Sequence, residues 1–261
     1  MRRPQYPAHQ SPPPPLPAAT RTVGQLVGES VKFYRENFFA SLSLGLGPAL
    51  TGIGAAALHH NAQLVYVLVV GSVLMTASYI AATILVRDLD FVKSSVATAA
   101  VTGIAVFLPA PVLVQLWVLP AVAWLALLGL TVPAILAERL SIGAGVRRAI
   151  RLARADFVHA LGSLATLVIL SFLCSWVLYF LLRSQGDAVR NVAAFFTLLV
   201  ISPILFIGSV LLYDDQRGRL DSGLDREGRI RARRDHVATA PREIVPTRLG
   251  RAPRPRRPKA G

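Results

Sequence analysis

Residues Leu64–Val86 read LVYVLVVGSVLMTASYIAATILV, an unbroken apolar stretch without a single Asp, Glu, Lys, Arg or His. About 20 predominantly apolar residues in a helix cross the hydrocarbon core of a bilayer. Five more long apolar stretches lie between Phe39 and Tyr213. We therefore predict an all-α fold, a polytopic membrane helix bundle with six transmembrane helices in three hairpins. The predicted spans are residues 39–58, 64–86, 96–118, 121–137, 157–182 and 191–213.

The charged residues concentrate in the connections and the tails, so we expect no ionisable side chain inside the bundle. Ionisable groups within transmembrane segments usually mark proton relays, ion pathways or counter-ions. Their expected absence argues against coupling to ions or protons.

The turn between the third and fourth spans has two candidate positions. Pro120 is flanked by Trp117 and Trp124, and indole rings concentrate at membrane interfaces. A turn at Pro109 and Pro111 would make the third segment too short to cross. We therefore predict the turn at Pro120.

The composition fits a membrane protein of bacterial origin. Of the 261 residues, 53% are hydrophobic, yet the net charge is +14. Basic residues collect in the cytoplasmic segments of membrane proteins, so the positive net charge does not by itself indicate nucleic-acid binding. We expect no nucleic acid as a partner. Only three of the 28 basic residues are Lys, a bias typical of a GC-rich bacterial genome. The single cysteine, Cys174, cannot form an intrachain disulfide.

The basic residues also predict the orientation. The two termini and the two connections on their side carry 26 Lys and Arg, whereas the opposite side carries only Arg183 and Arg190. The positive-inside rule then places both termini in the cytoplasm. We predict a multi-pass protein of the bacterial cytoplasmic (inner) membrane. It has a disordered Pro-rich tail at 1–21, a membrane domain at 22–213 and a disordered basic tail at 214–261.

Two similar segments precede the first and the third hairpin. Thr22–Leu42 reads TVGQLVGESVKFYRENFFASL, and Ser141–Leu161 reads SIGAGVRRAIRLARADFVHAL. Apolar residues recur at helical spacing in both, and the first residue of each is a suitable N-cap. We predict amphipathic interfacial helices at residues 22–37 and 141–156. The expected apolar stripes are Val23, Val27, Val31, Tyr34 and Phe38 in the first, and Ile142, Val146, Ile150, Ala153 and Phe157 in the second.

The second amphipathic helix carries the strongest candidate site. Its polar face holds four arginines, Arg147, Arg148, Arg151 and Arg154. Guanidinium groups bind phosphate oxygens in bidentate fashion, so this face predicts a site for anionic phospholipid headgroups. The alternative is an ordinary positive-inside anchor that fixes the topology. Glu138, at the end of the fourth span, is expected to form a structural salt bridge with this helix.

Patterns typical of catalysis are missing from the sequence. It has no Gly-rich phosphate loop, no Gly-x-Ser-x-Gly motif and no paired carboxylates within a span. We therefore predict that the protein is not an enzyme, and that it has no catalytic residues, no cofactor and no metal site.

Three short motifs resemble one family of bacterial membrane proteins. They are FYRENFF, VPAILAERLS and LLYDDQRGRLDSGLD. Over about residues 22–225 the chain resembles the glycerophosphodiester phosphodiesterase membrane-domain family, in which the membrane domain is sometimes fused to a catalytic barrel. This chain offers no soluble segment large enough for that barrel. The resemblance therefore implies a membrane module without hydrolase activity, and it carries over no catalytic residues.

Two functions remain open from the sequence. The leading hypothesis is a non-enzymatic membrane module that binds anionic phospholipid or organises protein partners at the cytoplasmic face, with the tails as a further contact for partners. The alternative is a transporter or permease for an uncharged or lipid-like solute.

Overall fold

The computed structural model describes residues 21–239, except for the side chains of residues 61, 187 and 224–239. The first predicted tail (1–21) lies almost entirely outside these residues, and the second (214–261) lies outside them only after residue 239. The described part consists of helices and connections, without a strand. The helices are α1 (Val23–Glu36), α2 (Phe38–Leu44), α3 (Leu46–Ala56), α4 (His60–Tyr66), α5 (Ser72–Arg87), α6 (Lys93–Phe107), α7 (Ala110–Leu116), α8 (Val118–Leu128), α9 (Thr131–Glu138), α10 (Ile142–Ala155), α11 (Phe157–Leu182) and α12 (Asp187–Thr239), with a π-helical turn at Val67–Gly71.

Six helical segments of the described chain are long and apolar enough to cross a membrane. They are Phe38–Ala56, Ala62–Arg87, Lys93–Leu116, Val118–Glu138, Phe157–Leu182 and Ala188–Gly223. The predicted all-α, six-span bundle is confirmed. One boundary is corrected, because α12 does not end at Tyr213 but continues as a helix to Thr239. The compact membrane unit ends at Gly223, and the rest of α12 belongs to a second unit.

The turn between the third and fourth spans lies at Trp117, whose backbone is extended. Pro120 follows in the first turn of α8, where its missing N–H costs no helical hydrogen bond. The indole of Trp124 donates to the carbonyl oxygen of Val106 at 2.8 Å and joins the two spans. The predicted turn is thus confirmed to within a few residues, and Pro109 instead lies at a break inside the third span.

The two similar segments have the same local architecture. The helices α1 and α10 both contain 14 residues, and each is separated from the next helix by one non-helical residue, Asn37 or Asp156. Their N-terminal caps differ. Thr22 and Gln25 form a complete capping box at α1, whereas the side chain of Ser141 makes no capping hydrogen bond at α10. The predicted helices are confirmed, and one cap is stronger than the other.

The faces that these helices bury differ from the predicted stripes. Helix α1 buries Leu26, Ser30 and Tyr34, while Val31 and Phe38 are 44% and 43% exposed. Helix α10 buries Gly145, Ala149, Leu152 and Ala153. Tyr34 and Ala153 of the predicted stripes are buried, but the other buried residues lie beside the stripes. The stripes were predicted from side-chain hydrophobicity alone, whereas the buried face depends on where the neighbouring helices pack.

The position of α10 depends on a close contact with α9. A Cβ atom added to Gly145 would lie 2.4 Å from Cγ1 of Ile135, which leaves space for no side chain larger than that of glycine. Leu152 packs with Leu212 and Tyr213 of α12 in the same apolar cluster. Helices α9 and α12 therefore hold α10 in place, and its arginine face points away from the bundle.

Helix α12 forms the centre of the bundle. Its residues Ile207, Val210, Leu212 and Tyr213 are at most 1% exposed. One side packs against α2, α5, α6 and α9, and the other packs against α1, α10 and α11. Both amphipathic helices therefore lie beside the same central helix.

Candidate functional site

The basic end of the bundle, where α5 and α9 finish and α11 begins, holds a network of charged side chains. Oε1 of Glu138 accepts from Nε of Arg148 at 2.9 Å and from the hydroxyl of Tyr213 at 2.8 Å. The Arg148 and Glu138 side chains are only 16% and 20% exposed. The predicted salt bridge between Glu138 and the arginine helix is thus confirmed.

A second ion pair lies next to this contact. Arg87, the last residue of α5, pairs with Asp214 of α12. Its guanidinium carbon lies 5.2 Å from the centroid of the Tyr213 ring, within the range of a cation–π contact. Tyr213 therefore links the two ion pairs, and the ends of three spans are tied together by polar contacts.

A third group of polar contacts surrounds Asp215, whose side chain is fully buried. Its Oδ2 lies 2.6 Å from Nε2 of His159 and 3.3 Å from Nε of Arg219. Arg219 also donates to Oδ2 of Asp156 at 2.9 Å and to the backbone carbonyl of Arg21 at 2.8 Å. This group connects α12 to the start of α11 and to the residue that precedes the cap of α1.

The expectation that no ionisable group lies inside a span is wrong at His159. This residue lies in the first turn of α11, where its backbone N–H donates to Oδ1 of Asp156 at 3.0 Å. A single histidine changes the mean hydropathy of a long apolar segment very little, so the segment is still predicted as a span. The available signal was the spacing of Asp215 and Arg219, which places both on one face of a helix that continues past the sixth span.

The four arginines of the predicted site have two different roles. Nε of Arg148 is engaged with Glu138, and the side chain is only 16% exposed. Arg147, Arg151 and Arg154 are exposed, and the described residues provide no acidic partner for them. Among the described residues, these three guanidinium groups are therefore the more accessible part of the predicted site.

The network does not resemble a hydrolytic site. Ser163 Oγ lies 3.5 Å from Nε2 of His159, the same nitrogen that contacts Asp215. In a catalytic triad the acid and the nucleophile use opposite ring nitrogens. Within the described residues, His, Cys, Asp and Glu side chains nowhere form a group of three that could hold a metal ion.

The half of the bundle away from the basic end contains a cavity of about 980 Å³. All spans contribute to its wall. The lining residues are Pro48, Thr51, His60, Gln63, Leu64, Val67, Gly71, Ser72, Met75, Phe107, Ala110, Pro111, Val114, Gln115, Leu125, Ser171, Ser175, Thr197, Leu198, Ile201, Ser202, Leu205 and Phe206. No local pattern in the sequence predicts this cavity, because it depends on how the spans pack.

Regular helix geometry is interrupted where the spans line the cavity. The π-helical turn at Val67–Gly71 lies in the second span, and the break at Pro109 lies in the third. The first span is divided at Gly45, with Pro48 in the first turn of α3, and Pro203 interrupts the hydrogen bonding inside the sixth span. Irregular backbone at membrane depth is tolerated where it is buried in protein or lines a cavity, and π-helical turns are frequent at functional sites. The cavity is therefore a second candidate site.

Comparison with known proteins finds no matching family model, no matching curated protein and no matching solved structure. The resemblance to the glycerophosphodiester phosphodiesterase membrane-domain family remains a prediction from the sequence motifs.

Proposed function

We propose that this protein is a non-enzymatic membrane module that binds anionic phospholipid headgroups at its basic end. Arg147, Arg151 and Arg154 would hold the phosphate oxygens. The observation that carries the proposal is that these three guanidinium groups are exposed and have no acidic partner among the described residues. Arg148 is not part of the site.

The placement of α10 supports this function. The three arginines have the spacing i, i+4 and i+7, which puts them along one face of a helix. The opposite face is packed against α9 and α12, so the guanidinium groups point away from the bundle. Arg154 lies shortly before α11 begins at Phe157, which places it near the boundary of a span. This is the level at which phosphate groups lie.

The contribution of the three arginines to the free energy of lipid binding can be measured. Each basic group close to an anionic leaflet contributes about 1 kcal/mol, so the three together contribute about 3 kcal/mol. That free energy corresponds to about a hundredfold in affinity. Lysine keeps the charge but not the planar, bidentate geometry of the guanidinium group, so replacing the arginines by lysines separates charge from geometry.

The experiment is native mass spectrometry of the protein titrated with phosphatidylglycerol or phosphatidylcholine. We expect phosphatidylglycerol to be retained, Arg147/Arg151/Arg154→Ala to weaken its retention about a hundredfold, and the matching lysine variant to weaken it about tenfold. A charge-matched control replaces three tail arginines by Ala, namely Arg254, Arg256 and Arg257. Equal losses in the control and the site variant would contradict the proposal, and full retention by the lysine variant would contradict the role of bidentate guanidinium geometry.

The cellular location and the family are part of the same proposal. The division of 26 basic residues against two supports a bacterial inner-membrane protein with both termini in the cytoplasm. The motifs around residues 22–225 support kinship with the glycerophosphodiester phosphodiesterase membrane-domain family. The tails offer a further contact for a protein partner.

Passage of an uncharged or lipid-like solute is the second candidate function. The cavity favours it, because it lies within the spans and its walls come from interrupted helices. Solute or lipid flux in proteoliposomes tests this candidate. Flux equal to that of protein-free vesicles would contradict it.

A further inference from the structure

We infer that the cavity in the half of the bundle away from the basic end is a binding site for an uncharged lipid that carries a free hydroxyl group. A neutral diacylglycerol is the simplest lipid of this class. The inference is independent of the arginine site. The inference assumes that the cavity binds a ligand, and the second candidate function makes the same assumption.

The charge of the wall excludes most ionic ligands. Among the described lining residues there is no Asp, Glu, Lys or Arg, and the one histidine, His60, lies at the N-terminal end of α4. An ionised phosphate or ammonium group moved into such a site would lose its hydration without gaining a partner, which is costly at membrane depth. The polar head of the ligand is therefore uncharged.

The hydroxyl groups of the wall determine which hydrogen-bonding group fits. Six of them donate to the backbone carbonyl four residues earlier in their own helix. They belong to Thr51, Ser72, Ser171, Ser175, Thr197 and Ser202. A hydroxyl that has donated its hydrogen offers only oxygen lone pairs. These side chains therefore present acceptors to the cavity, and the complementary ligand group is a donor such as an alcohol.

Two amides complete the polar part of the wall. Gln63 and Gln115 belong to helices near the ends of the second and third spans. A primary amide both donates and accepts, so each can serve the hydroxyl or an ester carbonyl of the same ligand. The rest of the wall is mainly apolar, and it suits acyl chains rather than a water-soluble polyol.

The size of the cavity agrees with a lipid. Ligand sites usually measure about 300–1,000 Å³, and the cavity, at about 980 Å³, lies at the upper end of this range. The π-helical turn at Val67–Gly71 and the break at Pro109 lie beside this space. A long hydrophobic ligand fills such a space without burying charge.

The experiment is native mass spectrometry of the full chain with three probes. They are 1,2-dioleoylglycerol, its 3-O-methyl ether, and dioleoyl phosphatidic acid. We expect the methyl ether to bind about tenfold more weakly than the alcohol, since one hydrogen bond is lost. Phosphatidic acid should not compete for this site in the Arg147/Arg151/Arg154→Ala background.

Two kinds of variant locate the ligand in the cavity. Ser202→Phe fills the lumen, and Val200→Phe places the same ring on the exposed side of the same helix as a matched control. Thr197→Val removes an acceptor without changing the size of the side chain. We expect Ser202→Phe to abolish retention of the alcohol, Thr197→Val to weaken it severalfold, and Val200→Phe to leave it unchanged.

The outcomes separate the inference from the second candidate function. If neither the alcohol nor its methyl ether is retained, the lipid site fails, whereas the second candidate function fails only if flux in proteoliposomes equals that of protein-free vesicles. If the methyl ether binds as well as the alcohol, the hydroxyl preference is wrong, although an occupied cavity stands. Equal loss of the alcohol in Ser202→Phe and Val200→Phe would overturn the assignment of the lipid to the cavity.

Discussion

The contact between Glu138 and Arg148 leads to the most direct prediction. Glu138 accepts hydrogen bonds from Arg148 and Tyr213, and it lies at the end of a span. Replacing it by Ala removes the acceptor of both and leaves a cation without a partner in a largely buried position. Arg148→Ala removes one donor only, and Glu138 keeps its bond to Tyr213. We therefore expect Glu138→Ala to be the more destabilising of the two changes.

The magnitude follows from the exposure of the pair. Breaking a fully buried ion pair costs about 3–5 kcal/mol, and a hydrogen bond to a charged group contributes about 1.5–3 kcal/mol. The Arg148 and Glu138 side chains are 16% and 20% exposed, so the pair is largely but not fully buried. We therefore expect Glu138→Ala to lower the free energy of unfolding by about 2–4 kcal/mol. For Arg148→Ala we expect about 1–2 kcal/mol. The coupling free energy between the two changes should be about 1–2 kcal/mol.

The assay is equilibrium unfolding of the two single variants and the double variant in mixed micelles with increasing dodecyl sulfate. Tryptophan fluorescence monitors the fraction of unfolded protein. Arg151→Ala, an exposed arginine on the same helix, is the control and should change the stability by less than about 0.5 kcal/mol. A double variant whose loss equals the sum of the two single losses would refute the reasoning. So would a loss of phosphatidylglycerol in Arg148→Ala as large as that in the triple variant.

Three further predictions concern packing, the buried carboxylate and topology. Gly45→Ala should destabilise the bundle by about 1–3 kcal/mol, because its Cβ would lie 2.0 Å from a carbonyl oxygen of α12. The Cβ of Gly28→Ala meets nothing within 4 Å, so this change should stabilise α1 by about 0.5–1 kcal/mol. Unfolding of both variants in mixed micelles measures the two changes in stability. Asp215→Ala should cost about 1.5–3 kcal/mol, since it removes the carboxylate that contacts His159 while Arg219 keeps Asp156 and a backbone carbonyl as acceptors, and a change below about 0.5 kcal/mol would contradict the described contacts. Reporter fusions after Gly261 and within residues 185–187 should report opposite sides of the membrane; the same side for both would contradict the predicted orientation.

The spans could be predicted because each is a long local pattern. Apolar length alone defines a transmembrane helix, and the tryptophans around Pro120 were enough to locate a turn. The salt bridge of Glu138 was also predictable, since a lone carboxylate next to an arginine-rich helix has few other partners. These features depend on residues that are close in the sequence.

The buried face of α10, the role of Arg148 and the cavity could not be predicted in the same way. The face depends on how near α9 comes at Gly145, and hydrophobicity does not encode that distance. Arg148 resembles its three neighbours in the sequence and differs from them only because Glu138 lies on its side of the helix. The cavity depends on gaps between six spans, which a single local pattern cannot describe.

The two amphipathic helices offer a comparison within one chain. They have the same length and the same break before the following span, so both can anchor a hairpin at a membrane surface. At the repeat positions of Arg151 and Arg154, helix α1 has Lys32 and Arg35, so two basic positions are common to both anchors and fit a role in topology. At the repeat position of Arg147, helix α1 has Gly28. Arg147 is therefore the residue of the proposed site that topology explains least, and it is the strongest reason to look for an anionic ligand there.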